Sequence, residues 1–480
     1  MSVKNQTLDK IQKIDFDNIF VIDEKKQTEY SYNAFFSCCL SIAKELENRK
    51  ENSLFVVLEN GIDLFSLYFA AIMAQKKIIV ADPEKGNDEL HELLSENPDA
   101  FPIVLKKDFE KNTDILECFR DAGITDVKGE LLSRFENFDF DSGYLTTFTS
   151  GTSGKTKGVV NSLNNLFGTT FSFEEKLDVE ENGTFLHLMP MTYMAGILNS
   201  IFMPFIMGYR IVVGARFSVR MAISFWKLVE KYNVNFLWMS PMMLTMVDKV
   251  DRSSRYEEYC RKHKICFLIG TAPLSIDVRH NFEKRYGVML QASYGLSETL
   301  FISVETKQSI ERKTEDNVGE ILSGVDYRIT EDKELQISVP WMFKGYTNES
   351  TDDYFNGEYY MSGDLAKVND GVLSIVGRKK DLIIRGGLNI SPKLIEDVIS
   401  QLNFFVEFSV FGKKNGIGEE EVCCAYVLDS SLPASDIEKK VSSYVIQKLG
   451  NNYSINSFIR MESLPRNING KIDKNILRGI

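Results

Sequence analysis

Histidine is scarce in this chain. The four residues His91, His187, His263 and His280 lie too far apart for any metal-binding spacing. Cysteine is limited to seven residues with no C-x-x-C pair, and four of them form the adjacent twins Cys38–Cys39 and Cys423–Cys424. That excludes a disulfide framework and reads as reduced core thiols of a cytoplasmic protein. Cations are outnumbered, 56 Lys and Arg against 68 Asp and Glu, and the net charge of −12 argues against nonspecific nucleic-acid binding. Long apolar runs are missing as well. Leu64–Ala74 is too short to span a bilayer, and Ile197–Gly214 is broken by Asn199, Pro204 and Arg210, so no membrane span is expected. Met1–Asp15 is polar with mixed charge, which predicts neither a signal nor a transit peptide. There is no internal repeat and no low-complexity tract.

What is present is ordinary globular material, 44% hydrophobic and 26% charged over 480 residues, enough for two or three domains. Strand and helix patterns alternate from Ile19–Asp23 and Thr28–Ser31 onward. Helical patterns cover Tyr32–Asn48, Ile62–Ala74, Asp88–Ser95, Asp114–Ala122, Asn161–Leu177 and Ile223–Tyr232. Strand patterns cover Leu54–Leu58, Lys77–Val80, Ile103–Leu105, Thr184–Leu188, Arg210–Val213, Phe236–Met239, Lys264–Ile269 and Val288–Ala292. This rhythm predicts an α/β fold with parallel or mixed sheets flanked by helices. From about Val318 short β runs with turn residues predict an attached β subdomain. Residues 378–480 carry 15 basic against 12 acidic side chains, a net of +3 that leaves about −15 on residues 1–377. The break predicts a large N-terminal domain, 1–377, and a small α+β C-terminal domain, 378–480.

The stretch with the most chemistry is Leu145–Val160, L-T-T-F-T-S-G-T-S-G-K-T-K-G-V-V. Glycines let backbone N–H groups converge on an anion, hydroxyls add donors and lysine adds charge, which together suit a phosphate-wrapping loop. A Walker A loop would need glycine at Thr149, so that reading is disfavoured. The stretch resembles the signature loop T-S-G-T-T-G-x-P-K-G of the adenylate-forming superfamily of acyl- and aryl-CoA synthetases, adenylation domains and luciferase. It departs at Thr156, where proline is usual.

Further segments carry the same resemblance in the same order, from about residue 20 to the C-terminus. Gly270-Thr271-Ala272-Pro273-Leu274 resembles G-A-A-P-L, and Tyr294-Gly295-Leu296-Ser297-Glu298 at a strand end resembles Y-G-x-T-E. Ser362-Gly363-Asp364 resembles T-G-D. Gly377–Pro392 resembles G-R-x-K-D-x-I-x-x-x-G-x-x-I-x-P, followed by Ile395-Glu396. Leu464–Asp473 resembles L-P-x-T-x-x-G-K-I-D, with Asn467 at the usual threonine.

The resemblance implies ATP-dependent activation of a carboxylic acid as an acyl-adenylate, then thioester formation on CoA or a carrier-protein phosphopantetheine. It assigns the triphosphate to Thr149, Ser150, Gly151, Thr152, Ser153, Gly154 and Lys157. Adenine falls to Gly270, Thr271, Ala272, Pro273, Tyr294 and Gly295, and ribose to Asp364 and Arg378. Mg²⁺ falls to Glu298, a hard oxygen ligand, and catalysis of adenylation to Lys471 together with Glu298. Lys380 is the implied hinge of a mobile C-terminal lid. Pro190–Gly196 resembles P-L-F-H-x-x-G with Tyr193 at the usual histidine. Tyr193, Met194, Gly196, Trp238 and Leu296 are the expected acyl pocket. No acidic residue occurs between His187 and Val213 to meet an α-ammonium, which favours a fatty, branched or aryl acid. A stand-alone domain loading an acyl carrier protein and a non-catalytic nucleotide or acyl binder are the alternatives.

Overall fold

The alternating pattern becomes two sheets. In the computed structural model, residues 1–109, 112–150, 156–179, 183–307, 309, 317–385, 388–402, 404–414, 420–428, 434–466 and 472–480 are described. The smaller of the two sheets orders Ala100–Val104, Ser53–Val57, Lys77–Val80 and Gly143–Ser150 in parallel. Thr156–Ser162 and the two-residue strand Gly345–Tyr346 then join antiparallel. The larger sheet has six parallel strands, in the order Ile19–Asp23, Arg210–Val213, Thr184–His187, Phe236–Met239, Cys266–Ile269 and Leu290–Leu296. It continues antiparallel through Leu300–Val304, Asn317–Ile321, Val372–Arg378, Tyr359–Asn369, Glu334–Ser338 and Asp326–Ile329. The expected β subdomain is therefore a direct extension of the parallel sheet.

Burial explains the strand and helix choices. The central strands are apolar on both faces, as strands covered by helices must be. The helix Ile62–Met73 is buried throughout from Leu64 to Met73, which accounts for its long apolar run. Phe20, Phe35, Phe36, Phe69 and Phe205 interlock around it, with the Phe36–Phe69 and Phe69–Phe205 rings edge-on at 5.3 and 5.1 Å. A separate core holds the C-terminal part together. Ile383, Ile395, Val410, Val422, Cys424, Val441 and Val445 pack with one another, and none of this cluster precedes Ile383. Around it stand the three-stranded sheet Glu407–Lys414, Glu420–Val427 and Ser457–Arg460, and the helices Pro392–Ser400 and Ala434–Leu449.

Several expectations need correction. Asp114–Ala122 is not a helix: only the 3₁₀ turn Asp114–Cys118 forms. The Asp121 carboxylate instead accepts from the Ser37 hydroxyl and from the Gly123 N–H at 2.9 Å, local bonds that compete with helix continuation. The helix expected from Asn161 begins at Leu163 and ends at Glu174, and the helix expected from Ile223 begins at Val219. Several helices carry no expectation from the pattern, among them Val3–Lys13, Val127–Asn137, Pro241–Val250, Arg255–Lys262 and Ala434–Leu449. Arg255–Lys262 buries only Cys260, too little to leave a period in the sequence. Among the described residues no helix is long and apolar enough to cross a membrane.

The helix that follows the Gly-rich hairpin starts on a capping box. Ser162 Oγ accepts from the Asn165 N–H at 3.1 Å, and Asn165 Oδ1 accepts from the Ser162 N–H at 2.9 Å. Ser162→Ala should therefore lower stability by about 1 kcal/mol, read as an earlier urea-unfolding midpoint.

Candidate active site

Gly143–Ser150 and Thr156–Ser162 are the arms of a hairpin that sets Thr149 opposite Lys157 and Ser150 opposite Thr156. The tip, with Gly151, Thr152, Ser153 and Gly154, lies outside the described residues. Thr156 donates its hydroxyl to Glu89 Oε1 at 2.9 Å, which ties the hairpin to the helix Asn87–Ser95. A proline at that position could not make this bond.

Lys157 is held on several sides. Its ammonium meets Glu349 Oε1 at 2.6 Å, donates to the Tyr354 hydroxyl and lies over the rings of Tyr354 and Tyr346 at 4.1 and 5.2 Å. Burial opposes the charge, but Glu349 and Tyr354 outweigh it and raise the lysine pKa. Tyr346 then turns toward the second motif. Its hydroxyl donates to Glu298 Oε1 at 2.9 Å and lies 3.1 Å from the Tyr360 hydroxyl. The short strand Gly345–Tyr346 thus joins the Gly-rich hairpin to Glu298, the candidate metal carboxylate.

Glu298 sits in the turn between Leu290–Leu296 and Leu300–Val304. Parallel pairing ends at Ala292, as expected, but the strand runs on to Leu296 in an antiparallel hairpin. Three bonds fix that turn: Asn161 Nδ2 to the Ser297 carbonyl at 3.1 Å, the Phe343 N–H to the Glu298 carbonyl at 2.9 Å, and Trp341 Nε1 to the Thr299 carbonyl at 2.9 Å. Gly295 is required by close packing, because a Cβ there would stand 2.1 Å from the Leu300 carbonyl oxygen.

The remaining ribose and adenine candidates gather beside this turn. Strand pairing sets Asp364 opposite Arg378. Asp364, 2% exposed, takes the Arg378 Nε at 2.9 Å and the Tyr294 hydroxyl at 2.7 Å. The Asp364 charge holds the arginine pKa up. Burial, with Asp364 adding to it, drives the Tyr294 phenol well above its usual range. The Gly270–Pro273 loop connects Cys266–Ile269 to the helix Ile276–Tyr286, which Ser275 caps. Gly270 packs against Trp238 and Ser293, and Thr271 adopts φ +71°, a strained setting for a β-branched residue.

The acyl-pocket candidates differ in burial. Met194 and Trp238 are buried in the main core, Trp238 against the paired rings of Phe173 and Phe301. Gly196 is wedged against the Pro190 carbonyl, Tyr193 is half-buried, and Leu296 packs beside Val159 and Phe343. Lys380 lies in the 3₁₀ turn Lys379–Asp381, where surrounding protein and the Arg378 charge lower its pKa. Lys471 lies outside the described residues. The sequence reading missed Tyr346, Glu349, Tyr354 and Tyr360. Their only signal was a local crowding of tyrosines after Gly345.

Among the described residues no group of three metal-ligating side chains exists. Glu298 as the sole carboxylate, partly accessible and steadied by tyrosine hydroxyls, suits Mg²⁺, which commonly takes one or two carboxylates and completes its shell with substrate phosphates and water. Burial raises the Glu298 pKa from its ordinary 4.5 although Tyr346 and Tyr360 hydrogen-bond it. The folded state therefore binds this proton more tightly than the unfolded state, and this term weakens stability as pH climbs from the unfolded to the folded pKa. Glu298→Gln removes the term. Its melting temperature relative to wild type should rise across that window and level off above it, in melts without nucleotide or Mg²⁺.

Comparison with known proteins places this geometry. Residues 9–347 match the family model described as AMP-binding enzyme. The chain is 27% identical over 379 residues to 2-succinylbenzoate–CoA ligase of Bacillus pumilus, covering 76% of this chain and 73% of that one. It is 25% identical over 346 residues to medium-chain fatty-acid–CoA ligase of Escherichia coli, covering 69% and 60%. Among solved structures, ATP-bound MatB from Rhodopseudomonas palustris superposes with a TM-score of 0.85 at 21% identity, covering 100% and 99%. The o-succinylbenzoate coenzyme A synthetase of Bacillus subtilis, in complex with ATP and magnesium ion, gives 0.80 at 21% identity, covering 99% of each chain. Those two likenesses establish the fold, a large N-terminal and a small C-terminal α/β assembly. The family match establishes more: this chain belongs to the AMP-binding enzymes, the adenylate-forming superfamily.

Proposed function

We propose that the protein is an acid–thiol ligase that activates a carboxylic acid as its acyl-adenylate and transfers the acyl group to the thiol of CoA. The observation that carries this reading is the run of contacts from Lys157 through Tyr346 to Glu298, with Tyr294, Asp364 and Arg378 beside it. A cation suited to phosphate, a carboxylate suited to Mg²⁺ and a carboxylate suited to a vicinal diol, from separate stretches of chain, support this reading.

In the first step the substrate carboxylate attacks the α-phosphate in line and pyrophosphate leaves. Positioning and charge neutralisation supply most of the rate. Thr149 and Lys157, with the intervening loop, would hold the β- and γ-phosphates. Tyr294 and Gly270–Pro273 would hold adenine, and Asp364 with Arg378 the ribose hydroxyls. Mg²⁺ held at Glu298 would neutralise phosphate charge. Lys471 would bridge the carboxylate and the α-phosphate. Rotation near Lys380 would then withdraw Lys471, and the thiol would attack the acyl carbonyl with AMP as leaving group.

The relatives' names span 2-succinylbenzoate, a medium-chain fatty acid and malonate. With no acidic residue between His187 and Val213, an acid lacking an α-amine is favoured. A second reading replaces CoA by a carrier-protein phosphopantetheine, favoured by the net +3 on residues 378–480, which suits an acidic carrier. Seven free thiols fit a reducing cytoplasm.

The deciding test is carboxylate-dependent exchange of labelled pyrophosphate into ATP across aryl, fatty, dicarboxylic and amino acids. Exchange with one acid class is expected, whereas ATP hydrolysis to ADP without exchange would overturn the reading. Lys471→Ala should abolish exchange while thioester formation from supplied acyl-adenylate persists. Equal loss of both half-reactions would remove the two-conformation scheme.

A further inference from the structure

The contact that closes Lys157 off has its own logic. An ammonium offers three N–H donors. Here one points to the Glu349 carboxylate and one to the Tyr354 hydroxyl, and Tyr354 also donates to Glu349 Oε1 at 3.0 Å. The lysine side chain is left only 8% exposed, against 35% for Glu349.

The ion pair is not what anchors its segment. The Thr347 N–H bonds the Gly158 carbonyl at 2.9 Å, Asn348 Nδ2 bonds Glu96 Oε2 at 2.7 Å, and Gly345 and Tyr346 pair with Val160 and Val159. Carboxylate and phosphate are both anionic oxygen acceptors, so either can occupy the same ammonium. Both at once would set a negative charge against a polyphosphate.

We propose that Glu349 is a built-in stand-in for phosphate on Lys157. It keeps the ammonium extended and covered in the nucleotide-free enzyme, gives way when the phosphates of ATP arrive, and returns as pyrophosphate departs. This rests on the reading of Lys157 as a phosphate-binding cation. Glu349 is a positioning residue: it acts on phosphates through Lys157, and it exchanges part of the ATP affinity for faster release of pyrophosphate. The partner exchange moves no covalent bond and needs only a side-chain rotation at a 35%-exposed residue.

The test uses the full-length enzyme and its Glu349→Gln, Glu349→Asp and Lys157→Gln variants. Calorimetric titration with MgATP and with inorganic pyrophosphate is paired with exchange kinetics. Removing one like charge about 4 Å from a phosphate should tighten Glu349→Gln binding of both ligands by at least about 5-fold. KM for ATP should fall with it, with kcat unchanged or reduced and the melting temperature near wild type. Glu349→Asp, which retains the charge on a shorter arm, should fall between. Lys157→Gln should weaken both ligands. If Lys157→Gln weakens ATP while Glu349→Gln leaves affinity unchanged or lowers it, the stand-in is wrong and the phosphate role of Lys157 survives. If Lys157→Gln binds both ligands as wild type does, the phosphate role falls and the stand-in with it.

Discussion

A carboxylate taken out of water must be paired, and the placement of Asp364 answers to that constraint. At 2% exposure it would be ruinous alone. It is tolerated because the strand Val372–Arg378 brings a guanidinium opposite it and the strand Leu290–Leu296 brings a phenol. Each of those partners is thereby fixed in turn. Removing the carboxylate would take a partner from Arg378 and Tyr294 together, so these two candidates are coupled through Asp364.

The second organising feature is the joint between sheets. The Gly-rich hairpin belongs to the smaller sheet, and Tyr294, with Glu298 in the turn that follows its strand, to the larger. Two residues, Gly345 and Tyr346, add a strand to the first sheet while the Tyr346 hydroxyl reaches a carboxylate on the second. Gly158 gives this joint its clearance, since a Cβ there would stand 2.4 Å from Thr347 Oγ1. The departure at Thr156 strengthens the same region, because its hydroxyl docks the hairpin on Glu89.

Much of the candidate site was legible because its residues stand in short, ordered segments. Gly-rich hydroxyl runs, a carboxylate after an aromatic and a glycine, and a G-D pair each announce a function within a few residues. Their order along the chain then identified the family. Lone tyrosines were not legible. Tyr346, Tyr354 and Tyr360 join the candidate site only by folding toward Lys157 and Glu298, and other tyrosines of this chain are core, as at Tyr68 and Tyr144. The acyl-pocket set was not legible in the same way. Large apolar residues near the motifs were expected at a ligand surface, and Met194 and Trp238 proved to be packed interior.

By itself the sequence determined the α/β class, the placement of most strands and the candidate nucleotide contacts, because strand periodicity and motif spacing are local properties of a chain. The tertiary structure decided what depends on distant partners. It made the β region an extension of the parallel sheet, and it ended the expected helix at Cys118 because Asp121 found Ser37 across the fold. It also covered Lys157 with Glu349 and Tyr354, nearly 200 residues away along the chain. Ionic and hydrogen-bonding partners are set by proximity in space, and no local pattern encodes that.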